Sequence, residues 1–155
     1  MRLRFLWPGK TKSPEFRALL DLYAARIRPL ASVEIVESRV ARGLDENAAE
    51  KIMDIEAQGL EKQLKGDYII CLVDKGTQMT SEELAAFLRG RERESGRAVA
   101  FVVGGFLGLA DRLLAAADLR LSLSRMTFSH ELARVVLMEQ VYRSLSMARG
   151  LHYAK

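Results

Sequence analysis

The residues with the most distinctive chemistry lie in two loops of this sequence. The first, Gly104-Gly105-Phe106-Leu107-Gly108, follows an apolar run and precedes a predicted helix. Glycines at such a position let the backbone approach a ligand closely, or simply form a tight turn. The second loop, residues 123–128, offers backbone donors and apolar side chains that could enclose an adenine, although an ordinary strand-to-helix connection has the same composition. Neither loop matches the G-x-G-x-x-G motif, so both interpretations stay open.

Charged and aromatic side chains gather toward the C-terminus. His130 stands at the predicted start of the last helix, where it caps or packs the helix or contacts a ligand. Glu139 and Arg143 are four residues apart and therefore pair on the helix surface or take part in a site. The tail, residues 149–155, combines basic and aromatic residues. Such side chains suit an unpaired RNA base, and a frayed terminus is the alternative.

The sequence offers no ligand set for a metal ion. His130, His152 and Cys71 share no recognised ligand spacing, and neither H-E-x-x-H nor C-x-x-C occurs. We therefore expect no metal in the chemistry of this protein. Cys71 lies inside an apolar run and is predicted to be a small residue of the core.

Strands and helices are predicted to alternate along the chain. Ser13 and Pro14 predict a helix start, and Thr80 with Glu83 predicts a capping box. The predicted strands cover residues 2–6, 33–36, 67–73, 98–103 and 119–123, and the predicted helices begin near residues 14, 45, 81, 110 and 129. This alternation indicates an α/β fold with a mainly parallel sheet and helices on both faces.

Ligands of such sheets bind beyond the carboxyl ends of the strands. Three loops leave those ends with suggestive residues, namely 72–76, 104–108 and 123–128. These three loops are therefore candidates for a ligand site.

Composition narrows the class of protein. The 155 residues are 49% hydrophobic with a net charge of +4, which favours one globular domain over a disordered chain. No run approaches the ~18 apolar residues of a membrane span, and the N-terminus lacks the apolar core of a signal peptide. A lone cysteine favours a reducing, cytoplasmic setting.

Charge is distributed unevenly. Residues 1–43 carry +5, residues 44–100 carry −4 and residues 101–155 carry +3. If the basic ends meet in the fold, they form a positive face suited to a polyanion such as RNA; the alternative is a scatter of solvated charges.

The last predicted helix is apolar around nearly its whole circumference. Its apolar residues are Leu132, Val135, Val136, Leu137, Met138, Val141, Leu145 and Met147. A helix that is apolar all round is buried all round, and we expect a C-terminal helix on a small sheet to bury only one side within its own chain. The sequence therefore predicts a homodimer through this helix, the alternative being a helix slotted into the centre of the monomer.

Residues 121–130 and 134–143 resemble the ribosomal RNA large-subunit methyltransferase H family, as do Gly9-Lys10 and the glycines of loop 104–108. The resemblance covers the whole chain. It implies a SPOUT-type enzyme with a C-terminal trefoil knot that acts as a homodimer and uses S-adenosylmethionine. It further implies methylation of N3 of a pseudouridine in large-subunit (23S) rRNA, on the assembled ribosome.

The resemblance also implies site residues. The family's cofactor contacts fall on the three loops marked above, at Leu72, Gly104, Leu123, Ser124, Arg125, Met126, Thr127 and Phe128. Its helix and tail residues fall on His130, Glu139, Arg143 and Tyr153. Because an acceptor imide must lose its N3 proton, a basic or hydrogen-bonding group that favours the anion is needed. We predict Arg143 and Tyr153 as these catalytic residues.

Three departures from the family pattern keep other functions open. Ser129 stands where many members have proline, Phe106-Leu107 makes the glycine loop more apolar, and Ala154 stands where the family usually has histidine. The altered glycine loop and Ala154 motivate a competing hypothesis, a non-catalytic RNA- or ribosome-binding module on the same fold. A flavodoxin-like nucleotide binder is a third.

Overall fold

A five-stranded sheet forms the centre of the molecule. The computed structural model describes residues 1–94 and 96–153. The strands are β1 (Arg2–Pro8), β2 (Ser32–Ser38), β3 (Tyr68–Gln78), β4 (Val99–Val102) and β5 (Leu119–Ser122). The helices are α1 (Pro14–Ile27), α2 (Ala49–Gln63), α3 (Ser81–Arg93), α4 (Asp111–Ala116) and α5 (His130–Ala148).

All strand pairs are parallel, in the order β2-β1-β4-β3-β5. Helices α1, α3 and α5 pack on one face of the sheet, and α2 and α4 pack on the other. The predicted α/β class, with a parallel sheet covered on both faces, is therefore confirmed.

The core follows from the apolar strands in the middle of the sheet. The rings of Phe5 on β1 and Phe101 on β4 stack with centroids 5.4 Å apart, beneath α1 and α5. Cys71 is fully buried on the opposite face, against α2 and α4. Burial raises the pKa of its thiol to about 11, so the thiol is neutral at pH 7 and behaves as the small core residue that was predicted.

The predicted helix starts are confirmed by their caps. The Ser13 hydroxyl accepts from the Phe16 amide with Pro14 in the first turn, and Thr80 and Glu83 form the reciprocal capping box. The predicted helix from residue 45 is divided instead, because a short 3₁₀ helix (Glu46–Ala48) precedes α2.

Helix α5 lies between α1 and α3, and this placement corrects a premise of the sequence analysis. Every residue from Glu131 to Ala148 is buried or partly buried within one chain. Val141 and Leu145 are 0% and 3% exposed and belong to the core of the chain itself. The expectation that the chain buries only one side of this helix is therefore wrong, because two neighbouring helices cover its flanks.

A mixed stripe of α5 remains partly accessible. It includes the apolar residues Leu132, Val136 and Met147. This stripe is the part of α5 that a second subunit could still cover. Within the described residues, no helix has both the length and the apolar character needed to cross a bilayer.

Candidate active site

A cavity of about 430 Å³ opens at the carboxyl edge of the sheet, beyond β3, β4 and β5. The three predicted loops line it together with the first turn of α5. Of the eight predicted cofactor residues, seven line the cavity: Leu72, Gly104, Leu123, Ser124, Met126, Thr127 and Phe128. Arg125 does not line it and is exposed. The three loops marked in the sequence therefore line one cavity, while the roles of their residues stay predictions.

The first wall of the cavity is an excursion within β3. Leu72 and Thr77 both pair with Leu121 of β5, so residues 73–76 leave the sheet and return to it. A Cβ on Gly76 would lie 2.8 Å from the Arg120 carbonyl oxygen, so only glycine permits this close return. The predicted strand ended at residue 73, whereas the observed strand resumes and reaches Gln78. The excursion places the Asp74 carboxylate in the cavity wall.

The glycine loop is held by contacts within itself. The Gly108 amide donates to the Gly105 carbonyl at 3.0 Å, and Gly108 has a φ of +82°. A Cβ on Gly104 would lie 2.6 Å from the carbonyl carbon of Gly108. The side chain of any other residue at position 104 therefore meets the loop's own backbone first, so this glycine is required by the turn as well as lining the cavity.

Short polar side chains shape the third loop. Ser124 Oγ accepts from the Met126 amide at 2.9 Å, and Ser122 Oγ donates to the Ser124 carbonyl at 2.9 Å. Thr127 Oγ1 donates to Asp74 Oδ2 at 3.3 Å, which joins this loop to the β3 excursion. Ser129 then caps α5 by accepting from the Leu132 amide at 3.3 Å. Serine thus supplies a cap where many family members are expected to have proline.

The first turns of α5 are fastened to the end of β1. Arg134 is 1% exposed and donates to the Pro8 carbonyl at 2.9 Å and to Thr11 Oγ1 at 3.0 Å. Burial lowers the pKa of Arg134 to about 10, which leaves the guanidinium charged at pH 7. Glu131 accepts from the backbone amides of Lys12 and Ser13 at 2.9 and 3.0 Å. This scaffold holds His130 at the cavity wall.

His130 is neutral at physiological pH. Burial lowers the pKa of its imidazole, and the charges of Arg134 and Lys12 lower it further against the opposing effect of Glu131. The cavity therefore contains a carboxylate, Asp74, and an uncharged imidazole. This electrostatic environment suits a ligand that carries positive charge.

The predicted catalytic residues lie away from this cavity within one chain. Arg143 is thirteen residues after His130 on α5, which corresponds to about 20 Å along the helix. Neither Arg143 nor Tyr153 lines the cavity. A single subunit therefore does not join the predicted catalytic residues to the predicted cofactor site.

Arg143 and Tyr153 instead form a polar and aromatic cluster with Glu139. Arg143 Nε and Nη2 donate to Glu139 Oε1 at 3.0 and 2.6 Å, so the predicted pairing on the helix surface is present. Tyr153 donates to the same oxygen at 3.3 Å, and its ring lies 4.5 Å from that of Tyr142. Burial, together with Tyr23 and Glu139, raises the pKa of Tyr153 to about 12. Its hydroxyl is therefore a hydrogen-bond donor at pH 7.

The tail is docked through Tyr153, so the frayed-end alternative does not hold that far. The Leu151 amide donates to the Ser146 carbonyl at 2.9 Å, and the guanidinium of Arg26 on α1 lies 5.8 Å from the centroid of the Tyr153 ring. Ala154, whose departure from the family pattern motivated the non-catalytic hypothesis, lies outside the described residues, as does Lys155.

The two basic segments of the chain meet, but several of their cations are already paired. Arg4 is buried and binds Asp67 at 2.5 Å and Glu34 at 2.8 Å. Arg143 also forms an ion pair, with Glu139 at 2.6 Å. The positive face stays a prediction, and these arginines contribute little to it.

Asp74 is a polar residue of the cavity wall that the sequence did not single out. Asp74 was part of a marked loop but was not singled out, because its place in the wall depends on the return of β3 to the sheet. Its position directly after a buried apolar run was the available signal. Across residues 1–94 and 96–153, no group of three or more His, Cys, Asp and Glu side chains is placed to hold a metal ion.

A comparison with known sequences identifies the family of this chain. Residues 1–154 match the family described as "Predicted SPOUT methyltransferase". This chain therefore belongs to the SPOUT methyltransferase family.

Within that family, the chain is similar to curated proteins named ribosomal RNA large subunit methyltransferase H. The one from Geobacter metallireducens is 41% identical over 99% of this chain and 98% of its own length. The one from Thermodesulfovibrio yellowstonii is 34% identical over 98% of this chain and 97% of its own length. The resemblance drawn from residues 121–143 is thus confirmed.

Solved structures with low sequence identity share the fold. A probable methyltransferase from Bordetella pertussis aligns with a TM-score of 0.56 at 16% identity, over 93% of this chain and 96% of that one. A probable methylase family protein from Haemophilus influenzae aligns with a TM-score of 0.58 at 13% identity, over 99% of this chain and 70% of that one.

Proposed function

We propose that this protein is an S-adenosylmethionine-dependent methyltransferase of large-subunit (23S) rRNA that methylates N3 of a pseudouridine on the assembled ribosome. The observation that carries the proposal is the cavity at the carboxyl edge of the sheet, in which seven of the eight cofactor residues implied by the family resemblance converge. The family, and the names of relatives 34–41% identical to this chain, support the reaction and the class of substrate.

The cavity fits the proposed cofactor in size and in chemistry. Its volume of about 430 Å³ lies within the ordinary range of small-molecule sites. Leu72, Leu123 and Phe128 supply apolar surface for an adenine ring, and backbone groups of the loops supply hydrogen bonds. Asp74 supplies negative charge near a ligand that carries a sulfonium. S-adenosylmethionine provides a methyl group that the sulfonium already activates.

The protein's part in such a reaction is chiefly to align donor and acceptor. The acceptor imide must also lose a proton, and groups that stabilise the resulting anion lower that cost. Arg143 offers a permanent positive charge, and Tyr153, with a pKa of about 12, offers a hydroxyl donor rather than a base. We propose these two residues for anion stabilisation.

A homodimer is needed to bring those residues to a cavity. If two α5 helices pack antiparallel about their midpoints near Glu139, symmetry puts Arg143 opposite residue 135 of the second subunit. That position is five residues from His130, or about 8 Å along the helix. The partly exposed stripe with Val136 and Met147 supports such an interface.

Three further features belong to the same proposal. We propose that residues 1–155 act as one SPOUT domain, that its C-terminal part contains the trefoil knot of the family, and that the protein works in the cytoplasm. The convergence of loops 73–76, 104–108 and 123–128 beside the first turn of α5 supports a cofactor site built by that part of the chain.

Methyl transfer to ribosomes tests the function directly. Ribosomes from a strain lacking this protein are incubated with the purified protein and labelled cofactor, and the modified nucleotide is mapped by mass spectrometry. We expect one methylated pseudouridine in the large-subunit rRNA. Label on another nucleotide, or on small-subunit rRNA, contradicts the substrate, and cofactor binding without transfer supports the non-catalytic ribosome-binding alternative.

Subunit mixing tests the shared site. Arg143→Ala leaves the cavity intact, and Asp74→Lys leaves Arg143 intact. If each site takes its cavity from one subunit and Arg143 from the other, mixed dimers regain transfer that neither parent shows. A mixture no more active than its parents refutes the shared site.

A further inference from the structure

Two large apolar side chains project into solvent at the mouth of the cavity. Phe106 is 60% exposed and Met126 is 76% exposed, more than any other large hydrophobic residue in the described part of the chain. They belong to different loops, after β4 and after β5, yet both line the same cavity. Single exposed apolar residues are common. Two that flank one opening indicate a contact made there.

Three exposed cations lie next to residues of the cavity wall. Lys75 follows the cavity residue Asp74, and Arg125 lies between Ser124 and Met126, which both line the cavity. The charge of Lys12 acts on His130 in the cavity wall. None of these three cations forms an ion pair with the side chains that the structure describes. The carboxylates of Asp74, Glu131 and Glu56 lie near the same cavity, and of these three only Asp74 is exposed. The exposed charge named here is therefore mainly positive, which favours an anionic partner.

We propose that Phe106 and Met126 receive an unpaired nucleobase of an RNA, which stacks on the Phe106 ring, while Lys12, Lys75 and Arg125 contact the neighbouring phosphates. This assignment rests on the proposed function and specifies how its RNA is held. Aromatic rings bind unpaired bases of any sequence, and flanking cations bind the backbone.

The exposure of Phe106 indicates that the proposed base and the cofactor contact different surfaces of the site. A cofactor in the cavity lies against partly buried residues such as Leu72 and Leu123 and the buried Val103. Phe106 lines the open edge of the same cavity and keeps 60% of its surface accessible to solvent. Its outward surface is therefore available to a second ligand that arrives from outside.

Binding of two RNA probes to the full-length protein tests the proposal. The probes are a hairpin with 2-aminopurine in its loop and a blunt duplex of equal length. We expect Phe106→Ala to weaken hairpin binding by roughly 5- to 160-fold, the effect of removing one base-stacking ring, and to leave duplex binding unchanged. Phe106→Trp should keep both the affinity and the fluorescence change of the stacked 2-aminopurine.

Matched variants separate stacking from charge. Arg125→Gln should weaken both probes equally and reduce the salt slope of binding by about one, because it removes a phosphate contact. Leu22→Ala removes an exposed apolar side chain of α1 that does not line the cavity. This variant should bind both probes with wild-type affinity.

Three results overturn the proposal. The first is unchanged hairpin affinity in Phe106→Ala. The second is a tenfold loss of S-adenosylmethionine affinity in Phe106→Ala, measured by calorimetry, because this result would assign Phe106 to the cofactor site. The third is dissociation of a wild-type oligomer by Phe106→Ala in sedimentation, because this result would assign Phe106 to a contact between subunits. If the wild-type protein binds no cofactor while Phe106→Ala still loses hairpin preference, the proposed function fails and the base site stands.

Discussion

The contact between Gly104 and Gly108 yields a quantitative prediction about the cavity. In Gly104→Ala the added Cβ would lie 2.6, 2.8 and 2.9 Å from the carbonyl carbon, oxygen and Cα of Gly108. Ordinary contact begins near 3.4 Å, so the two backbone segments must separate by about 0.8 Å. No flexible side chain can absorb this shift, because both segments are main chain.

The cost of that displacement can be estimated. Overfilling a packed site costs about 1–3 kcal/mol, and each kcal/mol lowers the melting temperature of a protein of this size by about 2–4 °C. We therefore expect Gly104→Ala to melt roughly 2–12 °C below the wild type and to bind S-adenosylmethionine more weakly, because the loop lines the cavity. Thermal unfolding by circular dichroism and titration calorimetry measure the two effects.

Two other glycines provide matched controls. Gly108→Ala meets no atom within 4 Å but must adopt a φ of +82°, so it should cost only the ~1–2 kcal/mol of a left-handed residue. Gly90→Ala, in the last turn of α3 and also without a close neighbour, should stabilise the protein slightly. A wild-type melting temperature for Gly104→Ala refutes the steric argument. A lowered melting temperature with unchanged cofactor affinity shows that the loop does not shape the binding site.

Three more predictions concern the interface, the imidazole and the tail. Val136→Glu should produce a folded monomer in sedimentation, because Val136 is partly exposed, whereas Val141→Glu should unfold the chain by placing a charge in its core. The lowered pKa of His130 means that the unfolded chain takes up its proton first, so stability should fall as pH drops below about 6.5, and His130→Gln should remove this loss in pH-dependent melting curves. Deletion of residues 149–155 removes Tyr153 and should abolish methylation of ribosomes while leaving calorimetric cofactor affinity within about twofold, since the cavity lies elsewhere.

Much of the fold could be predicted because its signals are local. The apolar runs of β3 and β4 and the capping residues Ser13, Thr80 and Ser129 each determine an element from a few neighbouring residues. Alternation of strands and helices then placed three loops at one edge of the sheet. That edge is where the cavity lies.

The errors arose where the outcome depends on distant residues. The return of β3 requires Thr77 to pair with Leu121 of β5, more than forty positions away along the chain. The burial of α5 was predicted from its composition, but its cover by α1 and α3 was not, since composition does not say which surface lies opposite. Gly104 had a similar ambiguity between turn and ligand contact, and only the position of Gly108 shows that the turn alone already requires glycine.

The length of α5 makes the catalytic and oligomeric hypotheses depend on each other. The cavity wall includes His130 at one end of this helix, whereas Arg143 lies about 20 Å further along it. A functional monomer would therefore have to use an anion-stabilising group other than Arg143 and Tyr153. A dimer allows these residues to act, but only if its two α5 helices cross with their ends near each other's cavities. The proposed cofactor site does not depend on this arrangement, because the loops and the first turn of α5 that line the cavity belong to the same chain. Loss of the dimer would thus remove the catalytic assignment and leave the cofactor assignment intact.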